Sequence, residues 1–201
     1  MKNIFLALFI TVSAHFATAQ NEIVNAFSSS YKFESFKQYD KAIGALKTVY
    51  DVNSYEINVR LGWLNYLQGE YTESEKHYNQ ASTIQNKSIE ALLGLTYPQA
   101  AMLNWVSLSA TYSKILVLDP MNKIANFRLG QLLYNKKEFQ KAEKNLELVC
   151  QSYPFDFDAN VLMAQIKTKQ GKISEAKTYY KKALLYNPDS VVILKALVQL
   201  Q

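Results

Sequence analysis

Apolar side chains along this chain recur every three or four residues, the spacing that places them on one side of a helix, and the runs are broken by short polar turns. One complete unit is legible from Phe157 to Ser190. Val161 to Lys169 carries one apolar stripe and stops at Gln170-Gly171. A second run starts at Ile173, sets Ala176, Tyr180, Ala183 and Leu184 on one face, and closes at Asn187-Pro188. Displaced back by its own length the pattern fits again, so the chain reads as an array of helical hairpins near 23–54, 55–88, 89–122, 123–156 and 157–190. A short helix over 191–201 follows as a cap.

The first pair sets Ala26, Phe27, Ser30 and Phe33 against a second helix from Tyr39 to Tyr50, with Ala42, Leu46 and Val49 inward. Three columns then run through all five pairs. Ala42, Ser74, Leu108, Ala142 and Ala176 are spaced 32, 34, 34 and 34. Gly62, Gly130 and Ala164 form a second column, with Ser30 and Thr96 as its less typical members. Small side chains suit both, because helices packed roughly 8–10 Å apart leave no room for large ones at the crossing. Tyr39, Tyr71, Trp105, Phe139 and Ile173 start the second helices and plug the open ends of the hairpins. Pro120, Pro154 and Pro188 recur where a residue without a backbone N–H ends a helix. Ser54 and Asn86 hold that place in the first two pairs, and Leu108 is large for its column.

These residues, above all Leu129-Gly130, Phe139, Ala142, Leu146 and Pro154, then Ala176, Tyr180, Ala183 and Pro188, resemble the tetratricopeptide repeat family over about Ile23 to Ser190. The resemblance implies an all-α, right-handed superhelical solenoid of about five hairpins, in which first helices line a concave face. One hairpin cannot bury both of its apolar faces, so neighbours stabilise one another along the array.

Two stretches break the pattern. Pro98 falls inside the first helix of the third pair, four residues after Gly94. It predicts a kink there, with Gly94 yielding, or else a helix that restarts at Pro98 as its first-turn residue. In the tail, Ser190 is a candidate N-cap for a helix whose Leu194, Leu197 and Val198 cover the last hairpin. Val191, Val192, Ile193 and Leu200 are apolar too, so this helix either tucks into the last groove or leaves a strip for a partner or a second copy.

Ahead of the array, Lys2, an apolar run from Ile4 to Val12 and Ala17-Thr18-Ala19 read as a secretory signal cleaved near Ala19-Gln20, giving a periplasmic or secreted protein. An uncleaved anchor is the alternative, against which stands a run shorter than the roughly 20 residues a spanning helix needs. Cys150 lies among Leu146, Leu148 and Val149, where burial keeps a lone thiol inert. Charge is uneven: Gln20 to Asn122 holds 8 basic and 10 acidic residues, Lys123 to Gln201 holds 13 and 7. The basic half would suit an acidic partner or an anionic membrane, or simply reflects solvated helix faces.

No spacing of Cys and His suits a metal, no glycine-rich phosphate loop follows a strand, and no nucleophile-elbow motif occurs. The lone histidine of the mature chain, His77, reads as an exposed surface residue. No cofactor, no metal, no nucleic acid and no catalysis are expected. The family's geometry would put Phe27, Tyr31, Trp63, Tyr66, Tyr97, Phe127, Gln131 and Tyr134 on the inner wall. Tyr31, Trp63, Tyr66, Tyr97, Gln131 and Tyr134 are the candidate partner-binding residues, whereas Phe27 and Phe127 read as packing. The family's basic clamp for a C-terminal carboxylate finds aromatics and aliphatics in its places. The sequence thus points to an exported scaffold that holds a partner peptide or helix on an aromatic face, with self-association through the C-terminal helix as a further possibility. The alternative is a carbohydrate or cell-wall binding module using the same rings, for which Asn65, Gln131 and Asn135 are the polar neighbours on offer.

Overall fold

The computed structural model describes residues 20–200, so the signal reading on 1–19 lies outside the described residues. All regular structure among the described residues is helical. The helices are α1 (20–35), α2 (Tyr39–Lys47), α3 (Tyr55–Gln68), α4 (Tyr71–Ile84), α5 (Ile89–Ala101), α6 (Trp105–Leu118), α7 (Lys123–Asn135), α8 (Phe139–Ser152), α9 (Phe157–Lys169), α10 (Ile173–Tyr186) and α11 (Val191–Gln199). They fall into two compact units that meet in sequence at Leu103 and Asn104, inside the predicted third hairpin. Unit 1 therefore runs through α5, and unit 2 from α6. No described helix is long and apolar enough to cross a membrane.

The two kinds of helix start differently. Ser54, Ser88, Asn122 and Asp156 precede the first helices α3, α5, α7 and α9, and their side chains accept hydrogen bonds from the backbone N–H of Ile57 (3.3 Å), Ala91 (3.1 Å), Ala125 (3.0 Å) and Ala159 (2.8 Å). The second helices α2, α4, α8 and α10 follow Gln38, Glu70, Glu138 and Lys172, none of which caps through its side chain; α6 is the exception, with Asn104 accepting from the Ser107 N–H at 3.3 Å. Here a tight turn does the work. Lys37, Gly69, Leu103, Lys137 and Gly171 take φ of 57°, 90°, 56°, 62° and 75°, one left-handed residue in each hairpin at the same register. Glycine adopts this conformation freely, whereas each lysine and Leu103 hold it against a steric penalty of about 1–2 kcal/mol.

A buried asparagine ties each of three turns to the helix behind it. Asn58 Nδ2 donates to the carbonyls of Val52 (3.0 Å) and Ser54 (2.8 Å). Asn126 does the same to Pro120 (2.9 Å) and Asn122 (3.0 Å), and Asn160 to Pro154 (3.0 Å) and Asp156 (2.7 Å). These bonds satisfy carbonyls that the chain reversal would otherwise bury unpaired. Leu92 stands in the same register of the third pair.

The small columns are where the helices meet. Ala42, Ser74, Leu108, Ala142 and Ala176 are all buried. Ser74 satisfies its hydroxyl by donating to the carbonyl of Gly62 on the facing helix at 2.7 Å. Tyr78 lies between two glycines: a Cβ on Gly62 would come within 2.8 Å of its ring, and one on Gly94 within 2.1 Å. A Cβ on Gly130 would meet Leu146 Cδ2 at 1.9 Å. The core of unit 1 gathers Ala26, Ala42, Leu46, Ile57, Leu61 and Leu64, and that of unit 2 gathers Leu146, Val149, Met163 and Ile166, then Ala164, Tyr180, Ala183 and Ile193. Each buried leucine or isoleucine contributes about 1.5–3 kcal/mol. Cys150 belongs to this core, and burial pushes its thiol up to about 11.

Four expectations are corrected. Helix α2 ends at Lys47 instead of Tyr50, the remainder forming the turn. Helix α5 runs unbroken across Pro98, so it does not restart there, and Gly94 is required by the Tyr78 ring against it. Ser190 makes no capping bond, and the face of α11 that packs inward is Ile193, Ala196, Leu197 and Leu200, leaving Leu194 and Val198 exposed. Among the residues that start second helices, Tyr71 stacks on Tyr66 and Phe139 on Tyr134, but Trp105 and Ile173 are exposed.

Candidate functional site

Three first helices carry the aromatic side chains of unit 1, because Tyr31 on α1, Trp63 on α3 and Tyr97 on α5 occupy equivalent places in successive repeats. Tyr66 stands one helical turn beyond Trp63. The rings of Trp63, Tyr66 and Tyr97 form a mutual cluster, with centroids 5.7 Å apart for Trp63–Tyr66, 5.8 Å for Trp63–Tyr97 and 5.3 Å for Tyr66–Tyr97. Tyr71, at the start of α4, joins it through Tyr66 at 5.9 Å. Tyr97 keeps 48% of its surface in solvent, so the cluster reaches the surface; Tyr31, 57% exposed, stands beside Phe27 and Arg60.

A charged pair sets this surface. Arg60 is buried, and its guanidinium lies 3.8 Å from the centre of the Tyr31 ring. Its Nε donates to Ser30 Oγ at 3.0 Å, and Nη2 pairs with Glu34 Oε2 at 2.5 Å. The other carboxylate oxygen of Glu34 accepts from Trp63 Nε1 at 2.8 Å. Glu34 thus neutralises a buried cation and fixes the tryptophan with one group, which leaves the Trp63 ring little rotational freedom to lose on contact with a partner.

The remaining candidates lie in unit 2. Gln131 accepts from Arg128 at 3.2 Å on the same helix, and Tyr134 packs against Phe139 at 5.6 Å and on the core of unit 2. Phe27 and Phe127 are partly buried against the cores of their own units, as expected for packing residues. The candidates thus divide: four gather in unit 1, and two stand in unit 2 with neighbours of their own.

His77 is the correction among the polar residues. It is half-buried instead of exposed, with its ring edge-on to Tyr50 at 5.9 Å and Nδ1 3.0 Å from Asn58 Oδ1. Asn58 spends both amide protons on backbone carbonyls, so its oxygen can only accept, and His77 Nδ1 carries the proton. Burial holds its pKa below the ordinary value. Arg60 and Glu34 were invisible as a pair in the sequence, because they belong to different repeats and meet only through the packing of two helices. Asn58, Asn126 and Asn160 were detectable, since they recur in the register of the repeat.

Stacked antiparallel hairpins with small residues at most crossings and a side-chain surface on the first helices define a helical-repeat binding protein. Three tetratricopeptide repeat models match, over residues 36–88, 125–156 and 157–190, together more than half of the sequence. The chain belongs to the tetratricopeptide repeat family. Among solved structures, a tetratricopeptide repeat protein from Parabacteroides merdae is similar at a TM-score of 0.77 and 17% identity, covering 90% of this chain and 72% of that one. A MamA protein matches at 0.74 and 20%, covering 84% and 93%. MamA from Desulfovibrio magneticus matches at 0.67 and 18%, covering 73% and 82%. Identities this low speak for the fold alone. No curated protein matches the sequence.

Proposed function

We infer that this chain, which has the architecture of its family, is a protein-interaction scaffold as the family's proteins in general are. We propose that it is a non-catalytic scaffold of the cell envelope, holding a peptide or helix of a partner protein against Tyr31, Trp63, Tyr66 and Tyr97, with Gln131 and Tyr134 as further contacts in unit 2. The observation that supports this reading is the ring cluster of unit 1, in which Glu34 holds Trp63 and Tyr97 is open to solvent, with the exposed Tyr31 stacked on Arg60, the other partner of Glu34. Rigid amphipathic rings of this kind dominate binding energy at protein interfaces. The envelope location rests on the charge, apolar run and small-residue site within residues 1–19.

The tilt of the rings favours a peptide over a sugar. Trp63 meets Tyr66 at 32° and Tyr97 at 69°, and Tyr66 meets Tyr97 at 39°, so the cluster offers wedges and no flat platform for a pyranose face. A photoreactive residue placed at Tyr97 in living cells should give a discrete protein adduct, and one placed on the outer face of α10 at Lys181 should not. Equal adducts from both positions, or none from Tyr97, would rule the reading out.

A further inference from the structure

Unit 2 carries a second aromatic surface that its own repeats do not require. The turn between α8 and α9 reads Tyr153-Pro154-Phe155-Asp156-Phe157-Asp158. In the same register the turn before α7 has Asp119 and Met121 where this one has Tyr153 and Phe155, and the turn before α11 has Asn187 and Asp189. Those turns close without rings, so packing does not explain these. Phe155 is 68% exposed and Tyr186, at the end of α10, 67%. Together with Tyr153, Lys123 and the two aspartates they line an open groove of about 510 Å³. Exposed rings gathered in one groove forgo the burial that makes aromatic side chains stabilising, which marks a surface kept for a partner.

The groove also contains an example of the chemistry it favours. The Lys123 ammonium lies 4.7 Å over the Tyr153 ring and 2.7 Å from Asp156 Oδ2, a cation held between an aromatic face and a carboxylate. The other half of the groove repeats the components without the cation. Phe155 and Tyr186 supply rings, Phe157 and Tyr186 meet at 41° with centroids 5.9 Å apart, and Asp158 is exposed and makes no ion pair among the described residues. Tilted rings beside a free carboxylate fit a guanidinium, which stacks on one face while its N–H groups meet the acid. We infer that this groove captures an arginine side chain from a partner protein, through residues distinct from the ring cluster of unit 1. Long-range attraction does not imitate such binding. Lys123 to Gln201 has 13 basic against 7 acidic residues, which repels a cationic peptide and leaves only contacts inside the roughly 8 Å screening length to favour it.

The test uses a short fluorescent peptide with two arginines in a Gly-Ser background and its twin with citrulline at both positions, which keeps shape and loses charge. Fluorescence anisotropy at physiological ionic strength should show the arginine peptide bound about tenfold more tightly by the full chain. Asp158→Asn and Phe155→Ser, both at exposed positions, should each abolish that preference with an unchanged far-ultraviolet circular dichroism spectrum. Equal binding of the two peptides, no binding of either up to millimolar concentration, or a preference that survives both substitutions would each overturn the inference, and the first two need only the unaltered protein. Binding of a soluble cell-wall glycan fragment that Phe155→Ser removes, with no arginine preference, would assign the groove to sugar instead.

Discussion

The two units place very different side chains at one register of the same repeat. The first-helix column that holds Tyr31, Trp63 and Tyr97 in unit 1 continues in unit 2 as Gln131 and Gln165. Arg60 and Arg128 share another column, two repeats apart. In unit 1 the arginine is buried, stacked on Tyr31 and paired with Glu34; in unit 2 it is exposed, donates to Gln131 and lies 5.7 Å from the centre of the Phe127 ring. Buried charge in unit 2 sits elsewhere. Lys167 is enclosed by Glu143 at 2.5 Å and by Glu175, with Gln170 donating to the same Glu143 at 2.6 Å. Burial alone would lower the pKa of Lys167, but the two carboxylates outweigh it and raise it. The matching pair in unit 1 has a neutral donor, Gln99 Nε2, which reaches Glu75 Oε1 at 3.3 Å. The repeat tolerates these exchanges because its cohesion comes from the small columns and the leucine core, so the first-helix surface is free to vary with what it must recognise.

Removing the carboxylate that both Arg60 and Trp63 depend on breaks the comparison hardest. Glu34→Ala leaves Arg60 buried without a counter-ion, which destabilises unit 1 by about 3–5 kcal/mol. Arg128→Ala, the equivalent arginine in unit 2, should shift stability by no more than about 0.5 kcal/mol because it is exposed. Each unit holds one tryptophan, Trp63 or Trp105, so single-tryptophan variants report them separately in urea titrations. Matching midpoint shifts for the two substitutions would show that the Glu34–Arg60 pair is not the support described.

Crossing residues sharpen the contrast at a smaller scale. Ala142→Leu overpacks a fully buried position and costs about 1–3 kcal/mol. Gly94→Ala drives a methyl group into the Tyr78 ring, which is buried between Gly62 and Gly94 and has nowhere to turn; about 1–3 kcal/mol of strain exceeds the roughly 1 kcal/mol gained in helix propensity. At Gly130 the obstruction is the methyl end of Leu146, which can rotate. Gly130→Ala should therefore lie within about 1 kcal/mol of neutral. Equal losses at Gly94 and Gly130 in denaturant titrations would mean that ring and leucine yield alike.

The repeat itself was legible because a fixed period multiplies every weak signal. Ala142 alone says little, but Ala42, Ser74, Leu108, Ala142 and Ala176 in register fixed where helices cross, and all proved buried. Features without a periodic copy were not legible. Glu34 meets Arg60 and Trp63 only through the packing of α1 on α3, and the sequence offered no second Glu–Arg pair at that spacing. His77 looked isolated because its partners, Tyr50 and Asn58, belong to the preceding turn and helix. The face of α11 was misplaced by one position for a related reason. Nearly every residue of that helix is apolar, so periodicity alone could not choose between Leu194 with Val198 and Ile193 with Leu197.

The gentlest way to separate the units is by proton. His77 is half-buried against Asn58 and Tyr50, and that burial, aided by Lys76 and Lys47 and opposed by Glu73, holds its pKa below the ordinary 6.5. Above pH 6.5 the imidazole is neutral in both folded and unfolded chains, and its contribution is complete. As pH falls through 6.5 the unfolded chain takes up the proton first, so unit 1 loses stability in that window and on down through the lower folded value. Unit 2, from Asn104 to Gln201, contains no histidine. Its comparable group is Glu143, where burial favours the neutral acid but hydrogen bonds from Lys167 and Gln170 outweigh it and hold the pKa below 4.5. The stability Glu143 contributes is present above pH 4.5 and lost only beneath it. Between about pH 7 and pH 5, therefore, the urea midpoint read from Trp63 should fall while that read from Trp105 stays level, and His77→Gln should flatten the Trp63 profile. A Trp63 profile already flat in the unsubstituted protein, or one still sloping after the substitution, would place the titrating group somewhere other than His77.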